Sequence, residues 1–169
     1  MPPEYRTGIG ADGVAALRTF IEKGGNMVTL AGASNFAIER FGLSVRDVTA
    51  GKTTKEFWCP GSTLKMNVDN SNPLAYGMPT SALGVYLQGN PVFDLPPTTH
   101  NERYEVVAKF VDRDLLQSGW LVGEDNIARK ATAVVAHVGS GRIVLLGIHV
   151  QHRAQTYGTF KLLFNNLIG

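Results

Sequence analysis

The chain has 169 residues, with 16 Lys and Arg against 14 Asp and Glu, for a formal charge of +2. That length accommodates one domain with a real core, and a composition of 44% apolar and 18% charged residues excludes disordered and fibrous classes. Lys and Arg are scattered singly among acidic residues, with no basic stretch longer than Arg129-Lys130, so a nucleic-acid partner is not expected.

In chain order, a Pro/Gly-rich lead-in ends at Gly8-Ile9-Gly10 and carries no apolar leader within this chain. Val14, Leu17, Phe20 and Ile21 then recur at helical spacing, and Gly24-Gly25 stops that helix. Met27-Val28-Thr29-Leu30-Ala31 reads as a short buried strand, Gly32-Ala33-Ser34-Asn35 as a tight turn, and Phe36 to Phe41 as a second helix. Helix, double glycine, strand, turn and helix in that order is the grammar of a parallel sheet with crossover helices. The chain opens on a loop and a helix rather than on a founding strand, which predicts a sheet whose first strands lie upstream of Met1.

The middle is less regular. Thr63 to Asp69 alternates like a half-buried strand, and Asn70 to Pro73 is a turn cluster. Pro79, Pro91 and Pro96-Pro97 punctuate a loop-rich stretch. Tyr104 to Val111 reads as a strand, Asp112 to Ser118 as a short polar helix or turn, followed by Trp120-Leu121-Val122. Ala131–Val138 and Ile143–His149, separated by Gly139-Ser140-Gly141-Arg142, predict a β-hairpin. Its run from Ile143 to Ile148 is the longest strongly apolar one, far short of a bilayer span, so no membrane partner is expected. A last helix places Tyr157, Phe160, Leu163, Phe164 and Leu167 on one face.

Three places carry candidate chemistry. Ser34 sits between a strand and a helix, where a nucleophile elbow exposes its reactive side chain, but the closing glycine of that motif is missing. A helix N-cap by Ser34 or Asn35 explains the same residues. Cys59, in Phe57-Trp58-Cys59-Pro60-Gly61, is the only cysteine. It excludes an internal disulfide, leaves the compartment open, and reads as a packed turn residue in the absence of a base. His149, His152 and Arg153 would line a loop before the last helix, suited to a small molecule or anion, with no third ligand in view for a metal. His100 and His137 are isolated. Phosphate-loop, dinucleotide and His-Glu-x-x-His motifs are absent, as is any His-x-x-Glu spacing.

The stretch from Gly8-Ile9-Gly10 through Phe41-Gly42-Leu43 resembles part of a class I glutamine amidotransferase-like domain. Four segments together are similar to the C-terminal region of bacterial zinc carboxypeptidase-family proteins. They are Gly13 to Phe20 with Gly24-Gly25, Phe36 to Leu43, Cys59-Pro60-Gly61-Ser62 with Pro73 to Pro79, and Gln151 to Asn165. The resemblance implies a flavodoxin-like fold, and a parent protein whose separate N-terminal domain binds zinc and removes C-terminal residues from peptides. None of those zinc ligands can be placed on this chain. Amidotransferases use a Cys on the elbow with a downstream His and Glu, whereas here Ala33-Ser34 stands at the elbow and Ala154 stands two residues after His152.

The expectation is therefore an α/β, flavodoxin-like domain with a mostly parallel sheet and flanking helices, lacking its first strands and closed by a hairpin and helix. Residues 1–169 would form a single accessory domain, truncated on its N-terminal side, with no catalytic or metal-ligating residue and no cofactor of its own. Zinc is implied only for the parent's catalytic domain. The expected partners are that peptidase domain and a second copy of the chain, and export of the parent stays open. The alternatives are a binding module using Ser34, Asn35, His149, His152 and Arg153, or a hydrolase using Ser34 or Cys59.

Overall fold

The computed structural model describes residues 8–96 and 103–168; most of the Pro/Gly-rich lead-in, Pro97 and His100 lie outside them. In chain order the described elements are α1 (Gly10–Glu22), β1 (Asn26–Leu30), α2 (Ala33–Phe41), β2 (Arg46–Asp47), β3 (Ser62–Val68) and β4 (Ser81–Tyr86). They continue with β5 (Phe93–Asp94), β6 (Tyr104–Phe110), β7 (Leu116–Ser118), β8 (Ala131–Val138), β9 (Gly141–Leu146) and α3 (Phe160–Ile168).

Glycines end the first two helices for a stated backbone reason. Gly24 takes φ 106° and lets its own N–H and that of Gly25 reach back to the carbonyls of Ile21 and Phe20. Gly42 does the same for α2 at φ 63°, with the Leu43 N–H donating to Ile38 O and the Leu43 side chain buried. β3 alternates buried and half-buried residues as its sequence predicts, whereas β8 is buried on both faces and so reads as a continuous apolar run.

One sheet holds these strands, in the order β1-β9-β8-β6-β3-β4, with β7 on β3, β5 on β8 and β2 on β5. Among the described residues only β1 and β9 run parallel, and every other pairing is antiparallel. The α/β class with flanking helices stands, and the expectation of a mostly parallel sheet is corrected. Parallel neighbours need crossover helices, and among the described residues the next α-helix after Phe41 begins at Phe160, so the intervening strands fold back on one another. The hairpin of β8 and β9 and the closing α3 are present as the sequence predicts, but β9 runs from Gly141 to Leu146 rather than on to His149, and α3 starts at Phe160, after Tyr157.

Three further expectations change. The loop-rich stretch contains β4 and β5, the polar turn at 112–118 contains β7, and the segment after it forms only a single bridge, Trp58 with Val122. Proline punctuation hid β4, whose apolar side chains are buried only at Val85 and Tyr86. α1 and α2 cover one face of the sheet, over Phe93, Val134, Ile143 and Leu145. α3 covers the other face, over Val144 and Leu146, in a core that continues through Leu64, Met66, Tyr86 and Phe110. Phe57, Tyr86 and Phe110 meet edge to face there, with centroids 5.8 and 6.3 Å apart. Each such side chain, fully buried, contributes about 1.5–3 kcal/mol.

Candidate functional site

The parallel pair sets the site, because ligands in α/β sheets gather outside the carboxyl ends of parallel strands. β1 ends at Leu30, paired with Leu146 at the end of β9. Ala31 follows at φ 50°, a strained value for a residue with a Cβ, and its N–H donates to Leu146 O at 2.7 Å. Gly32 then leads into α2, where the Ser34 N–H donates to Ala31 O. A left-handed residue between a strand and a helix is the backbone of a nucleophile elbow. The elbow residue is thus Ala31 rather than Ala33 or Ser34, and its side chain is a methyl group.

Ser34 is neither the elbow residue nor a cap. α2 starts at Ala33 after Gly32, whose position makes no side-chain cap, and Ser34 is fully buried on the first turn. Its Oγ lies 3.0 Å from Thr29 Oγ1, and Thr29 Oγ1 donates to Val144 O at 3.1 Å. Thr29 has one hydroxyl proton, already given to that carbonyl, so Ser34 is the donor to Thr29. The pair ties α2 to β1 and, through Val144, to β9. Asn35, next along, is half-buried and makes no side-chain hydrogen bond among the described residues.

After β9 the chain passes through Gly147, where a side chain would collide with Pro91 O, and reaches His149 three residues beyond the strand rather than at its end. The His149 N–H donates to Val85 O, and the rings of His149 and His152 meet edge to face with centroids 5.7 Å apart. Burial holds the His149 imidazole below its ordinary pKa, and the neighbouring His152 adds to the effect. Arg153, Ala154 and Thr156 all have positive φ, at 48°, 54° and 39°. Such a run of left-handed residues with side chains costs about 1 kcal/mol or more apiece. The Thr159 hydroxyl, donating to Val150 O, fastens the loop's far end.

The structure therefore pairs His149 with His152 and sets their loop and the elbow at the same end of two neighbouring strands. No hydrogen bond or ring contact joins Ser34 or Asn35 to either histidine, and Arg153 is exposed without an ion-pair partner among the described residues. Two histidines are all this loop offers a metal, and among the described residues no three His, Cys, Asp or Glu converge. Cys59 is fully buried beside Phe57 and Tyr86, its N–H donating to Gln88 Oε1, and burial raises its thiol pKa despite a hydrogen bond with Ser62.

Sequence reasoning missed two polar clusters. His137, read as isolated, has its Nε2 2.6 Å from Glu105 Oε1, while Glu105 Oε2 accepts from Asn72 Nδ2 at 2.6 Å. Asp94 accepts from Lys130 at 2.7 Å and Arg46 at 2.8 Å, which holds its carboxyl below the usual range. The β6–β8 pairing, which sets Tyr104 opposite Ala136, was the missing information for the first.

No family model and no curated protein sequence matches the chain. Solved structures do. A GMP synthase component from Thermoplasma acidophilum aligns over 92% of this chain and 63% of its own length, at 11% identity and TM-score 0.54. A ThuA-like protein of Bacteroides uniformis aligns over 95% and 64%, at 14% identity and TM-score 0.52. A β-galactosidase of Bacillus circulans sp. alkalophilus aligns over 93% of this chain and 20% of its own, at 12% identity and TM-score 0.52. This chain spans less than two thirds of the length of each. It has the class I glutamine amidotransferase-like fold.

Proposed function

We propose that the chain is a non-catalytic accessory domain of amidotransferase-like fold within a larger zinc carboxypeptidase-like protein. The observation that carries this reading is the elbow with Ala31 at its strained position. The hydroxyl of Ser34, on the first turn after the elbow, is buried and gives its proton to Thr29, and the only thiol lies in the core with a raised pKa. Neither has a base beside it, which activation of a Ser or Cys requires. The link to a carboxypeptidase rests on the four sequence segments that resemble that family. Any zinc belongs to the catalytic domain of such a protein, and no residue here is assigned to it.

The domain's work would be to pack against the peptidase domain, shape access to it, or hold copies of the protein together. Removing it from the longer protein should change solubility, assembly or peptidase kinetics. Three unchanged readouts would overturn the proposal.

A second reading follows from the strained loop at 153–156, since stored strain clusters at ligand clamps. Here His149, His152 and Arg153 would hold a small anion, with Ser34 and Asn35 at the neighbouring elbow. Thermal shift against inorganic phosphate and simple carboxylates tests it, because a ligand at about 100 times its Kd adds about 2.7 kcal/mol. An unchanged melting temperature, or one equally raised in His152→Ala with Arg153→Ala, would dismiss it.

A further inference from the structure

We propose that the concavity at the amino ends of β1 and β9 is a binding site for a small zwitterion of the α-amino acid class. It lies at the opposite end of these strands from the elbow and the histidine loop, and it does not depend on the role given to the domain above.

Strand register builds the site. Asn26 of β1 sits opposite Arg142 of β9, and Arg142 sits opposite His137 of β8. Cross-strand partners share a face of the sheet. Arg142 lies two residues before Val144 and four before Leu146, so this is the face that α3 covers. The row is polar where the rest of that face is apolar. It opens on a concavity of about 510 Å³ lined by Asn26, His137, Arg142, Asn166, Leu167 and Ile168. Sites for small molecules span about 300–1,000 Å³.

Hydrogen-bonding capacity of both signs goes unmet here. Arg142 is half-buried, and its guanidinium has no hydrogen-bond, ion-pair or ring partner among the described residues. The Asn26 side chain donates to Asn166 O at 2.8 Å, and the Asn166 side chain donates to Leu162 O at 2.6 Å. Each amide nitrogen is thus engaged, and each Oδ1 is buried without a donor. Asn166 is only 5% exposed. Burial of an amide oxygen or a guanidinium without a partner is unfavourable. His137 adds a third acceptor. The Glu105 carboxylate only accepts, so the His137 Nε2–H donates to it and Nδ1 is left uncommitted.

These groups select the ligand. A lone anion would satisfy Arg142 and leave both amide oxygens without donors. A lone ammonium would serve the oxygens and be repelled by Arg142. A molecule with both charges meets the whole set, and the two must lie close together, because neighbouring strands are about 4.8 Å apart. A carboxylate and an ammonium joined through one carbon have that span. Both oxygens are closed to solvent, so binding turns at least one Asn amide toward the ligand's N–H groups. Leu167 and Ile168, 68% and 85% exposed on the same concavity, favour an apolar side chain.

Calorimetric titration of the chain with L-leucine tests this, beside 4-methylpentanoate, which lacks the ammonium, and isoamylamine, which lacks the carboxylate. Leucine should bind saturably, and each half-ligand should bind at least about tenfold more weakly. Arg142→Gln should weaken leucine by a similar factor, and the side-chain amide resonance of Asn26 or Asn166 should shift on binding. No saturation by about 10 mM leucine, a half-ligand as tight as leucine, or unchanged affinity in Arg142→Gln overturns the inference. So do shifts confined to residues 149–156, which would put the ligand on the histidine loop. Should Arg142→Gln fail to fold, the half-ligand comparison on the unaltered chain decides.

Discussion

The two ends of the sheet solve opposite problems. The antiparallel lobe of β3, β4, β6 and β8 ends on β4, an edge strand too, but it is the better buried: its strands pair in long ladders, and Leu64, Met66, Tyr86 and Phe110 are fully buried. The parallel end of β1, β9, α1 and α2 holds the elbow and the strained histidine loop, and its outermost strand is open. Residues that could meet a ligand or a partner lie where the fold is least complete, and the lobe acts as a rigid support for them.

The largest effects should come from breaking the lobe. Phe110→Ala should cost about 3–5 kcal/mol by denaturant unfolding, whereas Phe20→Ala on the half-exposed α1 should change stability by less than about 0.5 kcal/mol. Equal losses at the two sites would erase the contrast. At the seam between the regions, a Cβ on Gly141 would meet the carbonyls of Ile21 and Gly25, so Gly141→Ala should cost about 2–3 kcal/mol in the same assay.

Smaller effects sharpen the parallel end. Ser34→Ala removes one buried hydrogen bond and should cost about 1 kcal/mol, with Thr29 still donating to Val144 O. pH then separates two contributions. The His149 pKa is depressed from its ordinary 6.5, so its contribution to stability is present above that value and is lost as pH falls through the folded pKa. His149→Gln should flatten the melting temperature over that interval. Asp94 is depressed too, chiefly by its hydrogen bond from Lys130, so its contribution is lost only at lower pH, as acid falls through its own folded pKa. Lys130→Met should reduce that acid sensitivity by less than about 1 kcal/mol, since the pair is partly exposed.

Local pattern made much of this legible. The period of α1, the glycine stops, the strand before the elbow and the final hairpin follow from side-chain spacing and backbone freedom, and they appear where the sequence predicts them. Sheet direction was not legible, because strand-turn-helix grammar extends only to Phe41 and says nothing of strands joined without helices. Nor was it legible that, within the last apolar stripe, Leu163 packs on the core while Tyr157, Phe164 and Leu167 are exposed, since apolar spacing identifies a stripe and not what covers it. At the site, Ser34 was singled out by its residue type. The elbow is defined by the φ of Ala31, a backbone strain that an alanine codon does not advertise. The partnering of His137 with Glu105 needed the register of β6 on β8.

The most direct test of an elbow without a nucleophile is intact-mass analysis of the native chain after exposure to a fluorophosphonate and then to iodoacetamide. No serine adduct should form, and Cys59 should be alkylated only after unfolding, as its burial and raised pKa require. A stoichiometric adduct on Ser34, or on Cys59 in the folded protein, would contradict the reading of this chain as an accessory domain.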